Sequence, residues 1–200
     1  MTKKVDFIFD VASPNAYFCH KVLPDIAART GAEFHYIPCL LGGIFKATNN
    51  QAPWMAFSEI PLKLEYDGLE MQRFIARHGL TKYKLNPHFP VMTLAVMRGA
   101  VAADMDGYLM EYVDAMVVAM WEDGLKLDDP EVLGAAWAAA GFDAQKLAAQ
   151  IADDSVKAKL AANTEAAVAR KCFGIPTFYV GDEMFFGKER LGQLEEMLAS

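Results

Sequence analysis

The stretch FIFDVASPNAYFCHKVLPDIAARTG (7–31) decides how the chain is read. With Val5 and Asp6 before it, its opening is a short run rich in β-branched and aromatic side chains that stops at Ser13-Pro14, the pattern of a buried strand over Val5 to Val11. A helix pattern follows. Ser13 suits its N-cap, because a hydroxyl accepts from the free amides of the first turn, and Pro14 suits the first helical position, where its missing N–H costs nothing. Gly31 supplies the stop, and Pro24 removes one backbone bond inside the helix and is expected to kink it. The next apolar run, AEFHYIP (32–38), reads as a second strand, and a right-handed crossover lays it parallel to the first.

From about Phe45 to Lys171 almost nothing alternates with period two, while helix punctuation recurs at Gly79, Gly124, Asp129-Pro130-Glu131, Gly141 and Asp143. The spacing predicts a run of about five or six helices. Strand signals return at IPTFYVGDEMFFG (175–187), where two apolar runs flank Gly181-Asp182 as in a hairpin, and a last helix is expected from about Lys188 to Leu198. The order β-α-β, helices, β-β-α predicts an α/β protein with one mixed sheet, formed by residues 1–44 and 165–200, and an all-helical insertion at 45–164.

Over half of the 200 residues are apolar, enough for a sizeable core. The net charge of −7, with no basic cluster beyond Lys3-Lys4, argues against nucleic acid as a partner. No span approaches the ~20 apolar residues that cross a bilayer, and Asp6 and Asp10 interrupt any signal-peptide core, so no membrane partner and a cytoplasmic location are expected. Cys19, Cys39 and Cys172 form no CxxC and read as reduced, buried thiols. His20, His35, His78 and His88 make no HxxxH or HExxH pair, so no metal site is expected; His88, in the NPHFP segment, reads best as a surface turn. The Met and aromatic residues of 105–121 have the spacing of a helix core, with pocket lining as the second reading for them and for Trp54 and Tyr83.

The strand order, Ser13 at the tip of the first helix and the GIPT turn together resemble the thioredoxin fold. Within it, DxxSPxAY (10–17), LLGGIFKATNNQAP (40–53), PLKLEY (61–66), NPHFPVMTLAVMRGA (86–100) and FGIPTFYVGDEMFFGKERL (173–191) resemble the 2-hydroxychromene-2-carboxylate isomerase family. That family is akin to kappa-class glutathione transferases and more distantly to DsbA. The resemblance runs over essentially the whole chain and implies a cis Ile175-Pro176 bond facing Ser13, a homodimer, and glutathione as cofactor. It also implies isomerisation of an aromatic substrate by reversible thiolate addition.

Serine at position 13, followed by Pro, Asn and Ala, excludes dithiol exchange at this helix tip. A hydroxyl beside the positive end of a helix suits an anion instead, here the thiolate of glutathione. The resemblance makes Ser13 the catalytic residue and gives Asn50, Lys63, Ile175, Pro176, Lys188 and Glu189 to glutathione, Ile175 through its backbone N–H and C=O. Two departures stand out. Relatives tend to read Gly-(Ser/Asn)-Asp-Arg where this chain has Gly187-Lys188-Glu189-Arg190, and often asparagine where it has Met92. A kappa-like transferase shares the whole thiol site and stays open as an alternative. A thiol-disulfide oxidoreductase, opposed by the missing CxxC, and a non-catalytic binding protein are the other readings.

Overall fold

The computed structural model describes residues 3–200. Its sheet is built from β1 (Lys4–Phe9), β2 (Glu33–Pro38), β3 (Thr177–Val180) and β4 (Glu183–Phe186) in the order β2-β1-β3-β4. As the sequence predicts, β1 runs parallel to β2, with Phe7 opposite Tyr36; β3 pairs antiparallel with β1 and β4, and the β3–β4 turn is Gly181-Asp182. β1 ends two residues earlier than expected. Beyond Phe9, whose carbonyl still accepts from the Cys39 N–H, the chain leaves the ladder because the Asp10 carboxylate takes up the Ala12 N–H and starts a turn.

That turn feeds α1 (Pro14–Thr30), which Ser13 caps and Gly31 ends in the left-handed region at φ 68°. The helix continues through Pro24 to Thr30. Its buried face covers an aromatic layer in which Phe7 stacks on Phe178 at 4.7 Å and meets the edge of Tyr36 at 4.8 Å. His20 anchors the same face. A carboxylate only accepts, so His20 donates from Nε2 to Asp114 at 2.7 Å, and its Nδ1 lies 3.0 Å from the Tyr36 hydroxyl.

Between the two halves of the sheet lie α2 (Leu41–Thr48), α3 (Pro53–Ala56), α4 (Pro61–His78), α5 (Leu94–Asp106), α6 (Leu109–Trp121), α7 (Pro130–Ala139), α8 (Ala144–Gln150) and α9 (Asp154–Ala169). Seven helices, α3 to α9, thus replace the five or six expected after Phe45. The four-residue α3 and seven-residue α8 are too short to show a 3.6-residue period. The expected insertion boundaries fall inside α2 and α9. A 3₁₀ turn (Lys188–Arg190) precedes α10 (Leu191–Ala199) where one continuous helix was expected, the chain entering it from Gly187 at φ 89°.

α5 is the insertion's core helix, and small residues let its neighbours close in. Tyr112 of α6 lies across Gly99, donating its hydroxyl to the Val96 carbonyl at 2.9 Å and accepting from Trp137 Nε1 at 3.1 Å. α4 is the opposite case. None of its residues is buried, and Leu62 is 76% exposed. Among the described residues no helix is long and apolar enough to cross a membrane.

Two outcomes are expected. A Cβ on Gly99 overlaps the Tyr112 hydroxyl, so Gly99→Ala is expected to cost about 1–3 kcal/mol in chemical denaturation. The hydrogen bond from His20 holds the Asp114 carboxyl below its ordinary value. A depressed pKa contributes stability above the unfolded value of about 3.9 that is lost as pH falls through the folded one. The stability gap between wild type and Asp114→Asn is therefore expected to be constant at neutral pH and to close on acidification below about pH 4.

Candidate active site

The tip of α1 and the loop before β3 meet through one side chain. Ser13 has extended backbone (φ −91°, ψ 117°), and its Oγ accepts the Ala16 N–H at 3.2 Å, satisfying one of the free amides of the first turn. The same hydroxyl donates across the interface to the Ile175 carbonyl at 3.1 Å. Ile175-Pro176 is a cis bond, as the resemblance implies; Phe89-Pro90 is a second. Ser13 is 4% and Ile175 6% exposed. The hydroxyl therefore has its single donor committed.

The turn ahead of Ser13 is held by four hydrogen bonds. Ser13 N–H donates to the Asp10 carbonyl at 3.1 Å, Ala12 N–H to Asp10 Oδ1 at 2.9 Å, and Val11 N–H to Met97 Sδ at 3.4 Å. The Val11 carbonyl accepts from Trp121 Nε1 at 2.8 Å. Trp121 belongs to an aromatic chain that runs beside this turn: its ring lies 6.0 Å from Tyr83 and 5.9 Å from Phe89, and Phe89 is 4.8 Å from Trp54. Tyr83 continues the chain to Tyr17 and Phe18 of α1, at 5.6 and 4.6 Å. Burial pushes the Tyr83 phenol up to about 12, and its buried hydroxyl has no hydrogen-bond partner.

Of the residues given to glutathione, Asn50 reaches the loop of the cis bond, its Nδ2 donating to the Phe173 carbonyl at 2.8 Å. Lys188 is 6% exposed and ion-paired with Glu189, whose side chain is half exposed. Both charges act on the Cys19 thiol, which burial drives well above its ordinary value, so they border α1 below Ser13. Lys63 stands apart. It is exposed on α4, bonds Asp67 at 3.0 Å, and lies 4.7 Å from the Phe57 ring centre. The structure thus joins Ser13, Ile175, Pro176 and Asn50, sets Lys188 and Glu189 along the same helix, and brings Lys63 to none of them through a hydrogen bond or ion pair.

Met92 is exposed, and His88 sits in a turn where its N–H donates to Asn86 Oδ1 at 2.8 Å. Cys19, Cys39 and Cys172 are free and buried. Among the described residues no group of three or more His, Cys, Asp or Glu is placed to hold a metal. A cleft of about 250 Å³ lined by His35, Tyr36, Asn163 and Arg170 opens beside β2 and includes none of the expected site residues. Sequence reasoning assigned no role to Asp10 and Trp121, which fix the turn. An acidic residue between Phe9 and Val11 at the end of a buried strand was the available signal, since a carboxylate there must find donors.

Comparison with known proteins agrees with this fold. A 2-hydroxychromene-2-carboxylate isomerase of Pseudomonas putida is 26% identical over 97% of this chain and 93% of its own length. Glutathione S-transferase kappa 1 of Rattus norvegicus is 27% identical over 97% and 90%. The solved structure of a 2-hydroxychromene-2-carboxylate isomerase superposes with a TM-score of 0.82 at 26% identity, covering 98% of this chain and 94% of that one. The DSBA-like thioredoxin domain model matches residues 4–199, and the chain belongs to that family.

Proposed function

We propose that this protein is a glutathione-dependent isomerase of the 2-hydroxychromene-2-carboxylate type that acts on a flat aromatic substrate. The observation that carries the reading is the Ser13–Ile175 hydrogen bond at a helix tip without cysteine. The groups fit a thiol tripeptide: a hydroxyl donor, a backbone carbonyl in a cis-proline loop, and an ammonium–carboxylate pair matching a zwitterionic amino-acid end. Bound glutathione would supply a sulfur that adds reversibly to a conjugated carbon of the substrate.

The chain's own part begins at Ser13. Turning its O–H away from Ile175 releases the carbonyl to accept a peptide N–H and lets the hydroxyl donate a hydrogen bond to the thiolate in one motion. A thiol of pKa ~8.5 needs roughly 2.7 kcal/mol of preferential stabilisation to ionise ~2 units lower. A helix terminus contributes ~0.3–1 kcal/mol, up to ~2 when partly buried, and a charge-assisted hydrogen bond ~1.5–3. The two together suffice. Asn50 steadies the cis loop through Phe173, and exposed Trp54 with half-buried Phe89 at the outer end of the aromatic chain offers faces on which a planar substrate stacks.

A kappa-type transferase uses the same groups and is the second reading, favoured by the rat relative. The proposal extends to a homodimer, for which the exposed apolar residues of α4 are available, and to a reducing compartment, the cytoplasm, where free thiols persist.

Titration calorimetry with glutathione, followed by turnover of 2-hydroxychromene-2-carboxylate, tests the reading. Glutathione-dependent isomerisation without net consumption of the thiol is expected; stoichiometric consumption with an electrophile assigns the transferase, and no binding overturns both. Ser13→Ala is expected to bind glutathione within a few-fold of wild type but to lose about 10- to 100-fold in kcat, matching one charge-assisted bond.

A further inference from the structure

One side chain beside Ser13 has no part in the thiol chemistry yet ties together three of the segments around it. Asp10 is 0% exposed. Its Oδ1 accepts from the Ala12 N–H at 2.9 Å and the Thr93 hydroxyl at 2.7 Å, and its Oδ2 accepts from the Leu41 N–H at 2.8 Å. All three partners donate, which matches an ionised carboxylate; burial pushes its pKa up while these bonds draw it down.

Two of the donors mark helix starts. Leu41 is the first residue of α2, and Thr93 is the N-cap of α5. Unlike Ser13, Thr93 makes no capping bond with its side chain; its hydroxyl donates to Asp10. Free amides at a helix start carry partial positive charge, so a buried carboxylate bonded to the Leu41 amide at the start of α2 is favourably placed. The backbone carbonyl of the same residue receives the Ser13 N–H.

We propose that Asp10 is a positioning residue for the thiol site, acting through Ser13 by locking the β1–α1 turn to the starts of α2 and α5. The proposal rests on the reading of Ser13 given above. α2 leads directly to the loop carrying Asn50, and Thr93 follows the segment carrying Met92, so one carboxylate holds three segments in register. A displacement of ~1 Å at a reacting group costs as much as about 100-fold in rate, and the gap between Ser13 and Ile175 is the one this lock sets.

The test uses Thr93→Val, which keeps shape and removes the donor, and Thr93→Ser, which restores it. Thr93→Val is expected to lower kcat about tenfold at saturating glutathione while KM for glutathione changes less than about threefold. Amide hydrogen exchange at Ala12 and Ser13 is expected to accelerate, and Thr93→Ser to return both measures to wild type. A folded Thr93→Val with wild-type kcat and wild-type exchange at those amides overturns the proposal. If Thr93→Val does not fold, Leu41→Pro removes the second donor at a first helical position that accepts proline, and the same two readouts decide. The exchange measurement needs no glutathione. Faster exchange in a protein that never binds glutathione therefore upholds the Asp10 lock and rejects the thiol reading, whereas normal binding with unchanged exchange and kcat does the reverse.

Discussion

The Ser13 hydroxyl has one proton to give, and it gives it to a carbonyl 162 residues away. That constraint organises the site. While the bond stands, the tip of α1 and the cis-proline loop are closed on each other and neither group is free for a ligand. Opening it sacrifices a hydrogen bond worth about 0.5–1.5 kcal/mol net, a cost that two new bonds to a peptide thiol readily exceed. In the proposed function the site exchanges partners within one hydrogen-bonded set. Such a set keeps buried polar groups satisfied in both states, as a dry location requires.

Rigidity around that exchange comes from the helical insertion. The turn preceding Ser13 is held by Met97 and Thr93 from the α5 segment, by Trp121 of α6, and by the start of α2 through Asp10. α5 and α6 are buried along most of their length, so these anchors inherit the stiffness of a close-packed core. α4 instead buries no residue fully, resting on the core only through half-buried Met71, Phe74 and Ile75, and Lys63 rides on its exposed side. Its distance from the Ser13 cluster follows from that exposure: an ammonium with an i,i+4 carboxylate in water has no cause to leave solvent.

The sheet and its halves were legible because their signals are local. Strand alternation, a Ser-Pro cap, a terminal glycine and a Gly-Asp turn each name a piece of backbone, and the crossover rule fixes the pairing. The pairing of Ser13 with Ile175 came only from the family resemblance, since nothing within ten residues of either names the other. Asp10 illustrates the remaining gap. Its type and place in a buried strand demanded donors, but Leu41 and Thr93 lie 31 and 83 residues away, and their contribution depends on where helices start in space. Short helices escaped for a different reason: α3 and α8 lack the length for a period to emerge.

Lys188 poses the sharpest electrostatic question, because an ammonium 6% exposed needs a countercharge at all times. Glu189 supplies it from a half-exposed position on the same turn. The Ser/Asn-Asp pattern of the family resemblance would meet a zwitterion with one charge; Lys188 and Glu189 would meet it with two. In the proposed function, the carboxylate of an amino-acid end reaching Lys188 would release Glu189 to the neighbouring ammonium, and two ion pairs would replace one with no charge left bare. Net charge is conserved through the swap, so desolvation of the ligand's carboxylate is offset by an ammonium already out of water. A neutral ligand offers no such replacement and would have to leave the Lys188–Glu189 pair intact. In the proposed function the pair would favour a ligand carrying both charges, as a γ-glutamyl end does and a simple thiol does not.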